Sequence, residues 1–344
     1  MTVFPRMPGI FGITGSAPTA TNSASGASSR TSSGVTSVFS RSFTPASSSA
    51  RRASWSELFR RLMKSSVSIP ESIAAAFRAR EINANKYTVG TVTVVGGSGH
   101  YIHAPVIAGL GARVAGAGLV QLVVPDASRI AAGVHVPEAT FTKLTATCVP
   151  PKADAYVIGM GLGVSVSTEV VVSRLLSGSK GRFVIDADAL AILAGWYGKT
   201  DGYDPASGQE LVLTPHEGEA AKLLGWKKED VVKDRLTTAK AIVDRYGATV
   251  VLKGAKTLVV SADGSRVYEN ETGNPFMALG GMGDLLAGVI GARWAYLKDD
   301  PFLAAASGVW MHALASDNVV AENRDPSIVN SAAEIGSLRV QLDA

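Results

Sequence analysis

Thr91-Val92-Thr93-Val94-Val95-Gly96-Gly97-Ser98-Gly99 is the stretch on which the fold turns. Five β-branched residues in a row read as a strand buried on both faces, and a glycine cluster follows at once. The Ala- and Gly-rich segment 104–117 then reads as a closely packing helix, and 119–125 as a second apolar strand. A strand, a glycine turn and a helix that leads into another strand form the repeating unit of a parallel sheet.

The same alternation runs outward toward the carboxyl end. Ala155-Tyr156-Val157-Ile158 is a strand that ends in Gly159-Met160-Gly161-Leu162-Gly163, with a helix expected over 168–176. Arg182-Phe183-Val184-Ile185 leads to Asp186-Ala187-Asp188, and Leu211-Val212-Leu213 leads to Thr214-Pro215-His216-Glu217. Helices are expected over 217–224 and 236–246, with a strand over 249–252. Apolar runs on both sides of Asp263-Gly264 predict a hairpin. Helices over 284–297 and 304–321 close the chain. Toward the amino end, Ile73, Ala76, Phe77 and Arg80 predict a helix over 70–80. The fold class is therefore α/β, a central, mostly parallel sheet with helices on both faces. Ligands of such a sheet gather outside the carboxyl ends of its strands.

With 344 residues, 46% of them hydrophobic, the chain can bury a substantial core. Its net charge of +4 is uneven. Arg6, Arg30, Arg41, Arg51, Arg52, Arg60, Arg61 and Lys64 face a single acid, Glu57, in the first 64 residues. The remainder is close to neutral or acidic, which removes the case for nucleic acid as a partner. One cysteine, Cys148, excludes an internal disulfide and any multi-cysteine metal site. No apolar run approaches the roughly 18 residues of a membrane span. Residues 1–67, rich in Ser and Arg and poor in acids, read as a transit-like, low-complexity extension with a short amphipathic helix at Trp55-Ser56-Glu57-Leu58-Phe59-Arg60-Arg61-Leu62. The expected destination is the mitochondrion, with plastid or cytoplasm as alternatives. Residues 68–344 are expected to form one domain.

The chemistry concentrates in Gly273-Asn274-Pro275-Phe276-Met277-Ala278-Leu279-Gly280-Gly281-Met282-Gly283-Asp284. Glycines let successive N–H groups point into one concavity, and a helix beginning there adds positive potential, which suits phosphate. Asp284 would stand beside that anion as a base for an attacking hydroxyl. A plain glycine turn capped by Asp284 is the other reading of the same letters. Gly96-Gly97-Ser98-Gly99 lacks the spacing of a known phosphate loop. Asp186 and Asp188 could hold a metal but show no third ligand. Lys253, at a strand end, could meet phosphate or solvent. His216 follows a strand end, and Glu217 and Glu219 read as helix-dipole partners.

In order, Tyr101 with Ala104-Pro105, Gly159-Met160-Gly161-Leu162-Gly163, Asp186-Ala187-Asp188-Ala189-Leu190, Leu213-Thr214-Pro215-His216-Glu217-Gly218-Glu219, Lys253-Gly254-Ala255, Gly273-Asn274-Pro275, Gly280-Gly281-Met282-Gly283-Asp284 and Gly308-Val309-Trp310-Met311-His312 form a series that resembles the NAD(P)H-hydrate dehydratase family. The resemblance covers about residues 85–340. It implies a ribokinase-like fold and an ATP- or ADP-dependent enzyme, with Mg2+ as a further cofactor candidate. Such enzymes phosphorylate hydrated NADH or NADPH and eliminate phosphate to restore the dihydronicotinamide. It further implies Asp284 as catalytic base. Lys253, Gly254, Ala255, Lys256 and Thr257, with Gly280, Gly281 and Gly283, are implied at the nucleotide. Ala104, Gly161, His216 and Asn274 are implied at the hydrated substrate, with no dedicated protein metal site. The companion epimerase domain of many members is expected to be absent, since residues 1–67 cannot hold it. A homo-oligomer is expected.

Several letters depart from the family pattern. A small hydroxylated residue is usual at Met282, glycine at Phe276 and Lys256, threonine at Leu279, proline at Met160 and Glu217, and asparagine at Ala191. Met282 is expected to remove one hydroxyl from the anion loop, at a cost of about 1.5 to 3 kcal/mol of binding. Two other readings therefore stand beside the enzyme: a noncatalytic subunit of a larger organellar assembly, and a small-molecule kinase of the same fold.

Overall fold

β1 (Thr91–Val95) lies inside a nine-stranded sheet of order β3-β2-β1-β4-β5-β6-β7-β8-β9. The other strands are β2 (Leu119–Val124), β3 (Thr140–Lys143), β4 (Ala155–Ile158), β5 (Arg182–Ile185), β6 (Glu210–Leu213), β7 (Thr249–Leu252), β8 (Leu258–Val260) and β9 (Val267–Glu269). The first seven pair in parallel, and the predicted hairpin adds β8 and β9 antiparallel. The molecule is described by a computed structural model, over residues 68–178, 180–196 and 208–343. The transit-like extension and its amphipathic segment lie outside the described residues.

Ten helices, numbered in chain order, accompany these strands among the described residues: α1 (Ala104–Val114), α2 (Asp126–His135), α3 (Val166–Leu176), α4 (Ala187–Trp196), α5 (Glu217–Leu224), α6 (Lys228–Lys233), α7 (Arg235–Tyr246), α8 (Met282–Leu297), α9 (Pro301–Ala321) and α10 (Ile328–Leu342). Successive strand residues serve opposite faces of the sheet. Val94, Val157, Val184 and Val251 join a core with α1, α8, α9 and α10. Val95, Ile158, Ile185 and Leu252 join a second core with α3, α4, α5 and α7. Side chains alternate along a strand, so near-continuous apolar letters are what a doubly covered sheet requires.

The helix expected over 70–80 is shorter. Only Glu71–Ala76 winds, as a 3-10 helix, and the backbone turns extended at Phe77. Phe77 leaves the helical path to pack on Trp310, ring centroids 5.4 Å apart. Two elements between β2 and β4 carry little sequence signal. α2 buries only Ser128 and Ala132, and no residue of the edge strand β3 is fully buried. α2 leaves its large apolar side chains, Ile130 and Val134, exposed, and β3 is only four residues long.

α8 is buried on nearly all sides, as a central helix must be when it is apolar all round. It packs on α1 backbone to backbone. A Cβ at Gly288 would collide with the Ala108 carbonyl, and one at Gly111 with the Leu285 carbonyl. Ile107 of α1 lies against Gly281, so the amino ends of the two helices share one side of the sheet.

Candidate functional site

The pairing of Ile185 with Leu213 and of Leu213 with Val250 sets the carboxyl ends of β5, β6 and β7 side by side. Each end continues into a chemical side chain: Asp186, His216 and Lys253. The amino end of α8 arrives at the same place with Gly281, Gly283 and Asp284.

Lys253 is the hub of this cluster. Its Nζ lies 2.6 Å from Asp186 Oδ1 and 3.8 Å from Glu219 Oε2. A Cβ built on Gly283 would lie 3.4 Å from the same nitrogen, so the ammonium sits against the start of α8. Burial alone would lower the Lys253 pKa, but Asp186 and Glu219 hold it above its ordinary value. It remains a cation. Asp284 moves the opposite way for a carboxylate. Burial first, then the negative charge of Asp186, pushes its pKa up to about 7, while Lys253 works against the rise. A carboxylate poised near neutrality is suited to taking and releasing protons.

The loop before Asp284 has the backbone of an anion cradle. Gly281 adopts φ 94°, which glycine reaches without strain. Among the described residues, the N–H groups of Gly280, Gly281, Gly283 and Asp284 have no hydrogen-bond partner. They lie at the N-terminus of a 16-residue helix, where unpaired donors and the helix dipole favour an anion. Met282, expected as a gap in this loop, is buried, and its side chain lines the neighbouring cavity. The donors of the cradle are therefore main-chain.

That cavity has a volume of about 640 Å³ and takes in the whole Lys253–Thr257 segment, with Gly283 at its edge. Its size falls within the usual range for a small-molecule site. Met277, Met282, Leu286, Val309 and Ala313 give it an apolar lining. The loop over it is pinned by Asp317, which accepts from the Gly273 N–H at 2.7 Å and from Asn274 Nδ2 at 2.8 Å. Asn274 Oδ1 accepts in turn from the Phe276 N–H. Asn274, grouped by resemblance with the substrate residues, thus lines the cavity beside the nucleotide segment, with its amide engaged in the loop. Phe276, 64% exposed, stands outside the cavity lining. His312 also lines the cavity, buried, with its pKa lowered to about 4 by that burial despite a hydrogen bond to the Met282 main chain. It is neutral.

Within the nucleotide segment, Thr257 Oγ1 donates to the Gly254 carbonyl at 3.0 Å. Lys256 pairs with Glu269 at 3.2 Å and adopts φ 58°. A left-handed backbone explains why glycine is the usual residue there. Arg235 braces the segment, pairing with Glu217 at 2.6 Å and donating to the Leu252 carbonyl at 2.9 Å.

On the other side, Gly161 packs directly on Tyr101 and Ala104, so two of the implied substrate positions meet at the start of α1. His216 is the N-cap of α5, and its Nδ1 accepts from the N–H groups of Gly218 at 2.9 Å and Glu219 at 3.3 Å. The neutral ring therefore carries its proton on Nε2, and the side chain is 60% exposed. His216 shares a hollow of about 140 Å³ with Asp188, Ala191 and Glu219. The metal reading of Asp186 and Asp188 gives way to other partners. Asp186 holds Lys253, and Asp188 accepts from the Gly163 N–H at 2.8 Å. Among the described residues, no three His, Cys, Asp or Glu side chains converge on one point.

Asp317 escaped the sequence reading, and His312 stood in the motif series without an assigned role. Asp317 had a signal: it is the only acid in the largely apolar Pro301–Ala321. A lone carboxylate in such a helix is there for a partner.

Comparison with known proteins agrees with this geometry. The profile of NAD(P)H-hydrate dehydratase matches residues 92–335. The ADP-dependent (S)-NAD(P)H-hydrate dehydratase of Neisseria meningitidis is 38% identical over 247 residues, 70% of this chain and 81% of that protein. The bifunctional NAD(P)H-hydrate repair enzyme of Escherichia coli is 35% identical over 254 residues, 73% of this chain and 47% of its own length. The chain thus spans about half of the bifunctional relatives. The crystal structure of the ADP/ATP-dependent NAD(P)H-hydrate dehydratase of Bacillus subtilis, co-crystallized with ATP/Mg2+, superposes with a TM-score of 0.70. It is 25% identical, and the match covers 81% of this chain and all of that one.

Proposed function

The chain belongs to the NAD(P)H-hydrate dehydratase family, and from that premise we propose that it spends ATP or ADP to dehydrate hydrated NADH or NADPH. The observation that carries this reading is Asp284, a carboxylate with a pKa of about 7 set among unpaired N–H groups beside a cavity of about 640 Å³. The nucleotide takes the cavity, with its base on the apolar lining and its terminal phosphate toward the cradle of Gly280, Gly281 and Gly283. The hydrated ring lies toward Ala104, Gly161 and His216. Asp284 accepts the proton of the ring hydroxyl as its oxygen forms a bond to the terminal phosphorus and the bond to the leaving ADP or AMP breaks. The cradle and Lys253 hold charge on the transferring group. The C–O bond of the phosphate ester then breaks, a proton leaves the adjacent carbon, and the ring double bond returns.

Mg2+ is carried by the bound nucleotide on this reading. Phosphate oxygens of the nucleotide would hold the ion. When bound, the ion neutralises phosphate charge.

The test is direct. Purified protein given hydrated NADH with ATP or ADP is expected to recover absorbance at the reduced-nicotinamide band, and an Asp284→Ala control is not. No recovery above that control, with no nucleotide binding by calorimetry, would sink the enzyme reading and leave the noncatalytic subunit. A stable phosphorylated product would instead identify a kinase. Residues 1–67 are proposed as a mitochondrial targeting extension and 68–344 as the domain that it delivers. A fluorescent fusion without residues 1–67 should stay in the cytoplasm, and import of that fusion would refute the assignment.

A further inference from the structure

Lys253 has three carboxylates within its electrostatic reach and makes a close bond to only one. Asp186 Oδ1 stands 2.6 Å from its Nζ, Glu219 is at 3.8 Å, and no ion pair joins it to Asp284. The choice is built into the backbone. Asp186 is 1% exposed, and its N–H donates to the Ile158 carbonyl at 3.0 Å. The next residue, Ala187, takes φ 49°, a left-handed backbone uncommon for any residue but glycine. Strain of this kind persists where surrounding structure imposes it, and it gathers at functional sites. Lys253 is fixed from its own side by its N–H, which donates to the Pro215 carbonyl at 2.8 Å.

We propose that Asp186 is a positioning residue. By holding the Lys253 ammonium on itself it keeps that cation from pairing with Asp284, and it aims the ammonium at the start of α8. This inference rests on the proposed dehydratase chemistry for its purpose, but the electrostatic coupling exists with or without turnover. An Asp284 paired with Lys253 would be a weak base. An Asp284 left without a cation stays a stronger one, and the ammonium beside Gly283 remains available to the transferring phosphoryl group. The charged groups that face Asp284 are Asp186 after β5, Asp188 on α4, Glu219 on α5 and Lys253 after β7.

Two substitutions should act with opposite sign. Asp186→Asn keeps the shape, removes a negative charge and releases Lys253 toward Asp284. The acid limb of kcat/KM should move to lower pH by about one unit or more, with kcat down at least about tenfold. Lys253→Met removes the cation, so in whatever activity remains the acid limb should move to higher pH. A purely structural Asp186 would lower yield or kcat and leave the limb in place. The second readout needs no turnover: chemical denaturation of each protein with and without Asp284→Asn, at pH 4 and pH 8. The gain from Asp284→Asn at pH 8 should shrink in the Asp186→Asn background and grow in the Lys253→Met background. An unchanged gain, or both limbs moving in the same direction, overturns the proposal. If no variant, wild type included, turns over hydrated NADH while the denaturation gains shift as stated, the coupling stands and the dehydratase reading fails instead.

Discussion

Two cations are buried at opposite ends of α8, and they live in opposite surroundings. Lys253, at the amino end, is outnumbered by carboxylates: Asp186, Glu219 and Asp284 all act to keep it charged. Arg293, toward the carboxyl end and 1% exposed, has Asp343 as its one acidic partner, at 3.3 Å, and Arg80 works against its charge. Its Nη2 donates to the Ala76 carbonyl, and its guanidinium lies 4.9 Å from the ring centroid of Phe77. Arg339, nearby, is pushed below its ordinary pKa by burial and then by Arg80. Removing either cation from water costs several kcal/mol before any partner is found. At the Arg293 end the partners tie together the 3-10 turn, α8 and the residue after α10. At the Lys253 end they leave a surplus of negative charge, which adds to burial in raising the Asp284 pKa toward neutrality.

The largest way to test the contrast is Asp284→Asn. Loss of a general base should lower turnover by about 10² to 10⁴-fold with the fold intact. The same change should stabilise the protein. Asp284 gives up its proton near 3.8, the ordinary value for the residue, in the unfolded chain and near about 7 in the native state. Between those values the folded state binds the proton more tightly, so stability falls as pH rises, and the full cost is present above about 7. The variant should therefore gain up to about 4 kcal/mol at pH 8 and nothing at pH 3, measured by urea denaturation. In the wild type, kcat/KM should rise with pH through about 7 as the base deprotonates. A flat stability difference between pH 3 and pH 8 would show that Asp284 is not held protonated by its surroundings.

Arg293→Met should produce the converse result: loss of stability with chemistry unchanged. Asp343 is left buried and unpaired, which costs about 3 to 5 kcal/mol in the denaturation midpoint, while kcat of the folded fraction stays at the wild-type value. Adding Asp343→Asn should recover part of the loss. If kcat fell as far as stability did, the two ends of α8 would be coupled and the division between them would not hold. Asp317→Asn is expected to do less. Its carboxylate pins the Gly273 and Asn274 loop over the cavity, so nucleotide KM should rise about tenfold, for one charged hydrogen bond of about 1.5 kcal/mol, with kcat little changed.

The letters that made the sheet legible were those with one job. Val94, Val157 and Val184 are apolar because both faces are covered, and their neighbours Val95, Ile158 and Ile185 repeat the message on the other face. α2 and β3 were illegible because they bury almost nothing. Within the site, the glycines and Asp284 could be read because backbone donors and a helix start are local features. The pairing of Lys253 with Asp186 spans 67 positions, and spacing along the chain carries no trace of it. The anchor of Asn274 was hidden for the same reason: its partner Asp317 lies 43 residues away and on another element.

Lys256 shows how a departure from pattern becomes a physical statement once its backbone is known. Its φ of 58° lies where a side chain costs about 1 to 2 kcal/mol relative to glycine, while glycine returns about 0.5 to 1 kcal/mol of that through the unfolded chain. Its ammonium pairs with Glu269 at 3.2 Å from a mostly exposed position, and surface pairs contribute little. Lys256→Gly should therefore stabilise the protein by a few tenths to about 1 kcal/mol. The sharper readout is nucleotide binding, because the residue lines the cavity. Tighter binding of ATP by the glycine variant would mean that the lysine crowds the site, whereas weaker binding would mean that its charge meets the phosphates. A stability loss above about 1 kcal/mol would refute the strain itself, since glycine is then the worse residue at a left-handed position.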